Sequence, residues 1–280
     1  NNDHFSENDK KLICTSALIH DIGHGPFSHL FDELTNSKHE YRSIEIFKYM
    51  NQKYNLNYSD NDIEIIKNII NPNDTEINKI SNKKYIFQIV SNTNGIDVDR
   101  MDYIMRDTKM IGLNYGIETR RIMEGSIIKG NIIVYSQRIK IPIDDYYRTR
   151  YTLYKEIYNH RTVRSLEYMV KLALKESYQF KQILSILQGN NWEQFISITD
   201  NIIDEIYKTD NKTSKEIIEN IKTRKIYKLY GEIFLNYEIN IYNKTDNTYI
   251  DETKISYYNN EKPQYYDIKT KSYTNFNPSV

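Results

Sequence analysis

The sequence predicts a mainly α-helical protein with one small β-hairpin and a weakly structured C-terminal tail. Apolar residues recur at helical spacing through most of the chain before residue 235. In that part, strand-like alternation is convincing only in the short pieces IIVYS and IKIPI between residues 132 and 143, which we interpret as a hairpin. From about residue 235 tyrosine, asparagine and lysine dominate, and we expect residues 255–280 to be partly disordered.

The first helix is predicted over residues 7–21, because Ser6 followed by Asp9 resembles a capping box and apolar residues then recur at helical spacing. The segment GHGP ends this helix, and Pro26 is suited to start the next one. Further helices are predicted over residues 40–55, 60–70, 84–108, 144–178, 180–187, 191–207 and 213–230.

The composition limits the classes of partner and the compartment. The 280 residues contain 38 basic and 38 acidic side chains, so overall charge does not favour binding to nucleic acid or to an acidic membrane. A small anion is the better-matched partner. Cys14 is the only cysteine, which fits a reducing cytoplasmic or nuclear location, and no apolar run is long enough to span a bilayer.

The segment ALIHDIGHGPFSH, residues 17–29, holds three of the six histidines of the chain together with Asp21. His20 and Asp21 lie at a predicted helix end, where both side chains can turn toward one cation. Imidazole nitrogen and carboxylate oxygen suit iron, manganese, zinc or magnesium in a catalytic site. The alternative is that His20 is a core histidine bonded to a neighbour.

A second segment, NGIDVDRMDYIMRD at residues 94–107, places Asp99, Tyr103 and Asp107 at i, i+4 and i+8 on one helical face. Two carboxylates then bracket an aromatic ring. The alternative is a solvated acidic face paired with Arg100 and Arg106.

A third pattern places Arg150, Tyr154, Tyr158 and Arg161 at i, i+4, i+8 and i+11, which predicts one helical stripe of cations and rings. Such a stripe suits the wall of a pocket for a sugar and a polyphosphate, because guanidinium groups bind phosphate oxygens in bidentate fashion. The alternative is a protein interface or an exposed stripe.

The order His-Asp followed by a distant Asp is the metal-binding signature of the HD superfamily of phosphohydrolases. The blocks HDIGHGPFSHLFD, KHE (38–40), NGIDVDRMDYIMRD and TRYTLYKEIYNHR (149–161) resemble those of the sterile-alpha-motif and HD-domain deoxynucleoside triphosphate triphosphohydrolases. Weaker similarity continues through TDNIIDEIYKTDN (199–211) and RKIYKLYGE (224–232), so the resemblance covers roughly residues 7–232.

This resemblance implies a helical HD-domain fold over residues 1–232, with residues 233–280 as the remnant of a C-terminal lobe. It implies metal-dependent hydrolysis of a deoxynucleoside triphosphate to deoxynucleoside and inorganic triphosphate. It also implies a nucleotide activator and a homo-oligomer, either a dimer or a tetramer.

The resemblance assigns a role to each matching position. The implied metal ligands are His20, Asp21 and Asp99. The implied phosphate contacts are His24, His29 and His39, with Asp32 oriented against His29, and the cations Arg100, Arg150 and Arg161. The implied sugar contacts are Tyr103, Asp107, which accepts from the 3'-hydroxyl, and Tyr158, which packs against the 2' carbon. Tyr154 stands where the family has a histidine. His160 receives no role.

The implied mechanism is attack of water on the α-phosphate in line with the departing 5' oxygen. We expect His29, held by Asp32, to donate a proton to that oxygen, because imidazole titrates near neutrality, and His39 to assist or to bind phosphate. Tyr158 is expected to exclude a ribose hydroxyl and so to select deoxyribose.

The sequence departs from the family pattern before the HD pair. The family's first metal ligand is a histidine in an Arg-x-x-His block, and His4, within NNDHFSEN, is the sole candidate before His20. We expect that ligand upstream of Asn1. Two other functions stay open: an HD phosphohydrolase for another nucleotide, such as a monophosphate or cyclic nucleotide, and a non-catalytic protein that binds nucleotide or single-stranded nucleic acid.

Overall fold

The computed structural model describes residues 4–93, 95–208, 212–232, 250, 264–267 and 272–275. This part of the chain contains thirteen α-helices and four β-strands, which confirms the predicted mainly helical class. The helices are α1 (Glu7–Ile19), α2 (His29–Thr35), α3 (His39–Tyr54), α4 (Asp60–Ile70), α5 (Asp74–Ile80), α6 (Val98–Met110), α7 (Thr119–Glu124), α8 (Lys140–Thr152), α9 (Arg161–Lys175), α10 (Tyr178–Gln188), α11 (Trp192–Phe195), α12 (Ile202–Lys208) and α13 (Lys212–Lys222). The strands are β1 (Ser126–Lys129), β2 (Ile132–Ser136), β3 (Gln264–Asp267) and β4 (Ser272–Asn275).

Helix α1 begins with the predicted capping box. The Ser6 side chain accepts from the Asp9 amide, and the Asp9 carboxylate accepts from the Ser6 amide at 2.8 Å. These two bonds satisfy amide groups that have no partner within the helix, so the start of α1 is fixed. The helix ends at Ile19, and the residues that follow form the histidine-bearing corner.

The single helix predicted over residues 84–108 is wrong. The structure has a short 3-10 helix at Lys84–Gln88, then an irregular stretch, and then α6. Asp97 caps α6 by accepting from the Arg100 amide at 2.8 Å. The same carboxylate accepts from the Asn92 amide at 2.9 Å, which holds the irregular stretch in place of a helical turn.

The predicted hairpin exists, but its pairing is wrong. β2 pairs antiparallel with β1 upstream, through a turn in which Gly130 and Asn131 both have positive φ. Two central residues with positive φ define a tight turn whose twist matches the strands. The downstream piece IKIPI is helical instead and begins α8, because Pro142 is tolerated in a first helical turn and five alternating residues also fit a helix.

The long helix predicted over residues 144–178 is interrupted. α8 passes into a π-helical segment, Leu153–Tyr158, and the chain then breaks at Asn159 and His160 before α9. The His160 ring accepts from the Thr162 amide at 3.2 Å and so caps α9. The helices predicted over 191–207 and 213–230 are likewise shorter, because a turn separates α11 from α12 and α13 ends at Lys222.

The sheet has four strands in the order β1-β2-β3-β4, with β2 parallel to β3 and β3 antiparallel to β4. No strand was assigned to the regions of β3 and β4, and no helix was predicted at the positions of α5 and α7. The predicted disorder of residues 255–280 falls mostly outside the described residues. The proposed boundary between residues 1–232 and 233–280 stays a prediction.

Buried apolar residues form three clusters, one under α1, α3 and α4, one among α2, α9, α10 and α13, and one among α6, α8 and the sheet. Within the described residues, no helix is long and apolar enough to cross a membrane. The corner after α1, the start of α3 and the first turn of α6 come together between these clusters, and there the candidate site lies.

Candidate metal centre and phosphate pocket

His20 lies directly after α1 and its ring is held by a backbone contact. Nδ1 donates to the Ala17 carbonyl oxygen at 2.8 Å, which turns Nε2 toward two carboxylates. Nε2 is 3.2 Å from Oδ1 of Asp99 and 3.4 Å from Oδ2 of Asp21. The hydrogen bond to Asp99, with the charge of Asp21, raises the pKa of His20 to about 9. The group thus has a surplus of negative charge that a cation would balance.

Asp99 reaches this group from the first turn of α6, far along the sequence from His20. One ligand atom from each of His20, Asp21 and Asp99 lies within 4.8 Å of the others. The structure therefore brings the three predicted metal ligands together, at a separation from which one ion can contact all of them. His4 belongs to no such group among the described residues, and its ring lies edge-on to Tyr85.

Three imidazoles form a second group beside the first. The rings of His24 and His39 are stacked with centroids 4.0 Å apart, and His29 stands edge-on to both, at 5.0 and 5.2 Å. Asp21 links the two groups, since its Oδ1 is 3.4 Å from Nε2 of His24 and 3.9 Å from Nε2 of His39. Together with Asp32 these rings form a second group whose ligand atoms lie within 4.8 Å of one another, and in the protonated form the same rings would suit an anionic ligand.

Asp32 orients a different histidine from the one expected. Its Oδ2 accepts from Nδ1 of His39 at 2.6 Å, whereas Nδ1 of His29 is 3.9 Å away. Burial alone would raise the pKa of Asp32, but the hydrogen bonds from His39 and Arg42 outweigh it and lower the pKa. The sequence expectation that Asp32 is oriented against His29 is corrected accordingly: Asp32 is hydrogen-bonded to His39, and the His29 side chain is mostly exposed.

The corner that presents His29 is strained. Phe27 and Ser28 both have positive φ, 63° and 53°, which residues other than glycine adopt at a cost of about 1–3 kcal/mol each. Asp200 stabilises this turn, because its Oδ1 accepts from the Phe27 amide at 2.8 Å. Helix α2 therefore begins at His29, whereas the sequence predicted a start at Pro26.

Arg100 was expected to contact triphosphate, but its Nη1 is engaged within the protein. It pairs with Asp97 and donates to the carbonyl oxygens of Asn92 and Gly95 at 2.9 and 3.2 Å. Burial raises the pKa of Asp97 to about 6, although the charge of Arg100 acts against that rise. Arg100 is therefore paired with a carboxylate in this structure, and its contact with triphosphate stays a prediction.

Tyrosine rings and one carboxylate form a wall next to the metal group. The Tyr158 hydroxyl donates to Oδ2 of Asp107 at 2.5 Å, and the ring centroids of Tyr103 and Tyr158 are 6.4 Å apart. The Tyr154 ring lies between its neighbours, with its centroid 5.1 Å from that of Tyr158 and 4.7 Å from the guanidinium carbon of Arg150. Five predicted substrate residues from three elements thus lie together: Tyr103 and Asp107 of α6, Arg150 of α8, and Tyr154 and Tyr158 of the π-helical segment.

Arg161 leaves this wall. The predicted continuous stripe is wrong beyond Tyr158, because the chain breaks at His160 and Arg161 starts α9. There Arg161 lines a separate cavity of about 290 Å³ together with Thr162 and residues 226–229. The break could have been recognised from Asn159 and His160, two residues that favour helix ends over helix interiors.

Two residues that support the site were missed in the sequence. Arg42 and Ser43 lie on α3 and are fully buried. The Ser43 hydroxyl donates to the His20 carbonyl oxygen at 2.7 Å and accepts from the Gly23 amide at 2.9 Å, so it fixes the corner from behind. The only sequence signal was their place among the buried positions Ile44, Ile46 and Phe47.

Comparisons with known proteins identify relatives of this chain. Residues 2–107 match the HD domain family. The chain is 37% identical over 253 residues to a putative HD domain-containing protein of Acanthamoeba polyphaga mimivirus, covering 80% of this chain and 53% of that protein. It is 31% identical over 244 residues to the deoxynucleoside triphosphate triphosphohydrolase SAMHD1 homolog of Dictyostelium discoideum, covering 83% and 46%. The SAMHD1 protein of Homo sapiens is 27% identical over 270 residues, with 81% and 43% covered. The chain spans about half the length of these curated relatives.

Proposed function

Because this chain carries an HD domain and is homologous to the SAMHD1 deoxynucleoside triphosphate triphosphohydrolases, we propose that it hydrolyses deoxynucleoside triphosphates to deoxynucleoside and inorganic triphosphate. The observation that carries the proposal is the convergence of His20, Asp21 and Asp99 beside three imidazoles. A phosphohydrolase needs this combination of cation ligands and anion contacts in one place.

We assign His20, Asp21 and Asp99 to a divalent metal ion. The donor chemistry supports it, because one imidazole nitrogen and two carboxylates suit iron, manganese, zinc and magnesium. When bound, such an ion supplies Lewis-acid activation of the α-phosphate and of the attacking water. His20 is preorganised for the role, since its bond to the Ala17 carbonyl oxygen leaves Nε2 as the ligand atom.

The imidazoles contribute phosphate binding and a proton. His24 and His39 are stacked and held in place, so we assign them to phosphate oxygens. His29 is the most exposed of the three rings. Partial desolvation on the side that faces the protein, together with the charges of His24 and His39, lowers its pKa. A lower pKa makes His29 a better proton donor, and we assign it to the departing 5' oxygen.

The tyrosine wall accommodates the sugar. Asp107 is bonded to Tyr158 in the free protein, and in the proposed complex it accepts from the 3'-hydroxyl of the substrate. Tyr103 and Tyr158 then flank the ring, and the packed Tyr158 leaves a 2'-hydroxyl without space or a partner. This arrangement supports a deoxyribose substrate over a ribose one.

The test is product analysis with the full chain and matched carboxylate variants. We expect inorganic triphosphate to be released from deoxynucleoside triphosphates, and no phosphate to be released from nucleoside monophosphates or cyclic nucleotides. Asp99→Asn should lose bound metal and turnover together. Asp102→Asn, on the exposed face of the same helix and paired with Arg106, should retain both.

Other outcomes identify the competing functions. Release of orthophosphate from a monophosphate, with no triphosphate product, would assign the site to a different nucleotide substrate. Nucleotide binding without turnover by a metal-loaded protein would instead support a non-catalytic binding protein.

A further inference from the structure

Arg42 is an arginine with no exposed side-chain surface, and it lies behind the histidine group. Arginine is almost never fully buried unless its charge is paired and its donors are satisfied. Here the guanidinium carbon lies 5.1 and 5.8 Å from the ring centroids of Phe31 and Phe195, so one apolar side is provided by aromatic faces. The metal and phosphate roles proposed above do not use this residue.

The polar edge of Arg42 bonds to three different segments. Nε donates to the Gly23 carbonyl oxygen at 2.7 Å, Nη1 donates to the Ser37 carbonyl oxygen, and Nη2 donates to Oδ1 of Asp32. Gly23 precedes His24, and Ser37 lies just before His39. The Arg42 guanidinium thus connects the backbone next to His24 and His39 with the Asp32 carboxylate.

The bond to Asp32 determines which of its oxygens faces the histidines. Arg42 occupies Oδ1, and Oδ2 is left for Nδ1 of His39 at 2.6 Å and of His29 at 3.9 Å. Without the guanidinium, the carboxylate would be free to rotate and would have lost its nearest positive charge. The orientation of the His39 ring therefore depends on Arg42, although none of the Arg42 donors contacts that ring.

We propose that Arg42 is a positioning residue that sets the phosphate-facing orientation of His39 through Asp32. The inference rests on the proposed function, because it assumes that this ring acts on the substrate. A guanidinium suits this role, since its rigid fork donates to three separate acceptors at once, whereas a lysine ammonium is a single point on a flexible stem.

The kinetic test compares Arg42→Met, Arg42→Lys, Asp32→Asn and the double variant Asp32→Asn with Arg42→Met. We expect kcat for triphosphate release to fall on the order of 10- to 100-fold in each single variant, which is typical when a residue that orients an active-site side chain is removed. KM and metal content should change little, and the double variant should be no slower than Asp32→Asn alone. Arg120→Met, which breaks an exposed pair with Glu124, serves as the control and should match the wild type.

Three results would overturn the proposal. Losses that multiply in the double variant would show that Arg42 and Asp32 act separately. A wild-type kcat in Arg42→Lys would show that charge alone suffices, and this variant decides the matter if Arg42→Met does not fold. A rise in KM with unchanged kcat would show that Arg42 serves binding and not orientation.

A spectroscopic measurement separates this inference from the proposed function. In histidine-side-chain NMR spectra recorded without nucleotide, the Nδ1 proton of His39, assigned with His39→Asn, should be protected by Asp32 in the wild type and lost in Arg42→Met and Arg42→Lys. If the wild type releases no triphosphate but this signal behaves as expected, the proposed function fails and the positioning role stands. If the signal is unchanged in both variants, the positioning role fails.

Discussion

His29 and His39 differ in how their rings are held, and the difference separates proton transfer from phosphate binding. His39 is fixed by Asp32, whereas the His29 side chain is 79% exposed and its nearest carboxylate oxygen is 3.9 Å away. A loosely held ring can approach the departing oxygen once substrate is bound, since catalytic contacts often tighten only in the complex.

We therefore predict that His29→Ala lowers kcat for triphosphate release by roughly 10²- to 10⁴-fold, the range typical of a lost general acid. Metal content, measured by elemental analysis, should stay at the wild-type value, because His29 is not one of the proposed ligands His20, Asp21 and Asp99 and belongs to the neighbouring group of His24, His29, Asp32 and His39. His4→Ala provides the control, with unchanged metal and turnover. Equal loss of metal and activity in His29→Ala would show that this ring is a ligand.

Tyr158 determines the second residue-scale prediction. Tyr158→Ala should lower the preference for dGTP over GTP, measured as the ratio of kcat/KM values, by roughly 5- to 150-fold, the equivalent of about 1–3 kcal/mol. Tyr158→Phe should keep most of that preference, because the ring and not the hydroxyl occupies the space of a ribose hydroxyl. If the preference is lost equally in both variants, the bond from Tyr158 to Asp107 determines selectivity instead.

At this scale the sequence predicts residue types better than partners. His20 and Asp21 are adjacent, so their proximity needs no tertiary information, while Asp99 was placed beside them through the family resemblance. The partners of Arg42 and Arg100 are set by packing, because each guanidinium binds carbonyl oxygens that any sequence could supply. The pairing of Asp32 with His39 was missed for the same reason.

The contact between the corner after α1 and the start of α3 depends on Gly23. A Cβ on Gly23 would overlap the His39 carbonyl oxygen and the Ser43 amide nitrogen, so the chain can pass the start of α3 only without a side chain. These are backbone atoms within a helix and cannot move aside cheaply. The corner and α3 are therefore held in contact at a distance that glycine alone permits.

We predict that Gly23→Ala lowers the free energy of unfolding by about 1–3 kcal/mol, the usual cost of overpacking. It should also weaken metal binding, because His20 and Asp21 precede the displaced corner. Urea unfolding and metal titration measure the two effects. The matched control is Gly116→Ala, where an added methyl group meets no atom within 4 Å. Wild-type stability in Gly23→Ala would contradict the close approach.

Element boundaries were predicted well where a local cap exists and poorly where tertiary contacts decide. The capping box of α1 is readable from Ser6 and Asp9. The π-helical segment after α8 cannot be recognised from the sequence. A π-helix differs from an α-helix by one residue in its hydrogen-bond spacing, and the residues of this segment, which include Tyr154 and Tyr158, would fit either helix. The turn at Gly130 and Asn131 carried a usable signal that the apparent alternation of IKIPI obscured.

At the scale of the whole molecule, the candidate site lies between separately packed parts of the core. The cluster that contains Phe31 and Phe195 supports α2 and Arg42, and the cluster that contains Ile104 and Tyr146 supports α6. Assembly into dimers or tetramers and control by a nucleotide activator stay predictions from the resemblance. A substitution in the core far from the site can nevertheless show whether packing there affects metal binding.

Ile218 on α13 has no exposed surface and belongs to the cluster that supports α2. We predict that Ile218→Ala lowers the free energy of unfolding by about 2–5 kcal/mol, because truncating a buried isoleucine leaves a cavity. Ile141→Ala, a control at a side chain that is 74% exposed, should change the free energy of unfolding by less than about 0.5 kcal/mol.

Below the unfolding transition, the metal content per folded molecule of Ile218→Ala should stay at the wild-type value, because the proposed ligands lie on α6 and on the corner after α1 and not in this cluster. Urea unfolding followed by circular dichroism gives the first quantity, and elemental analysis of the folded fraction gives the second. A parallel loss of metal in Ile218→Ala would show that the α9 and α13 layer shapes the site directly.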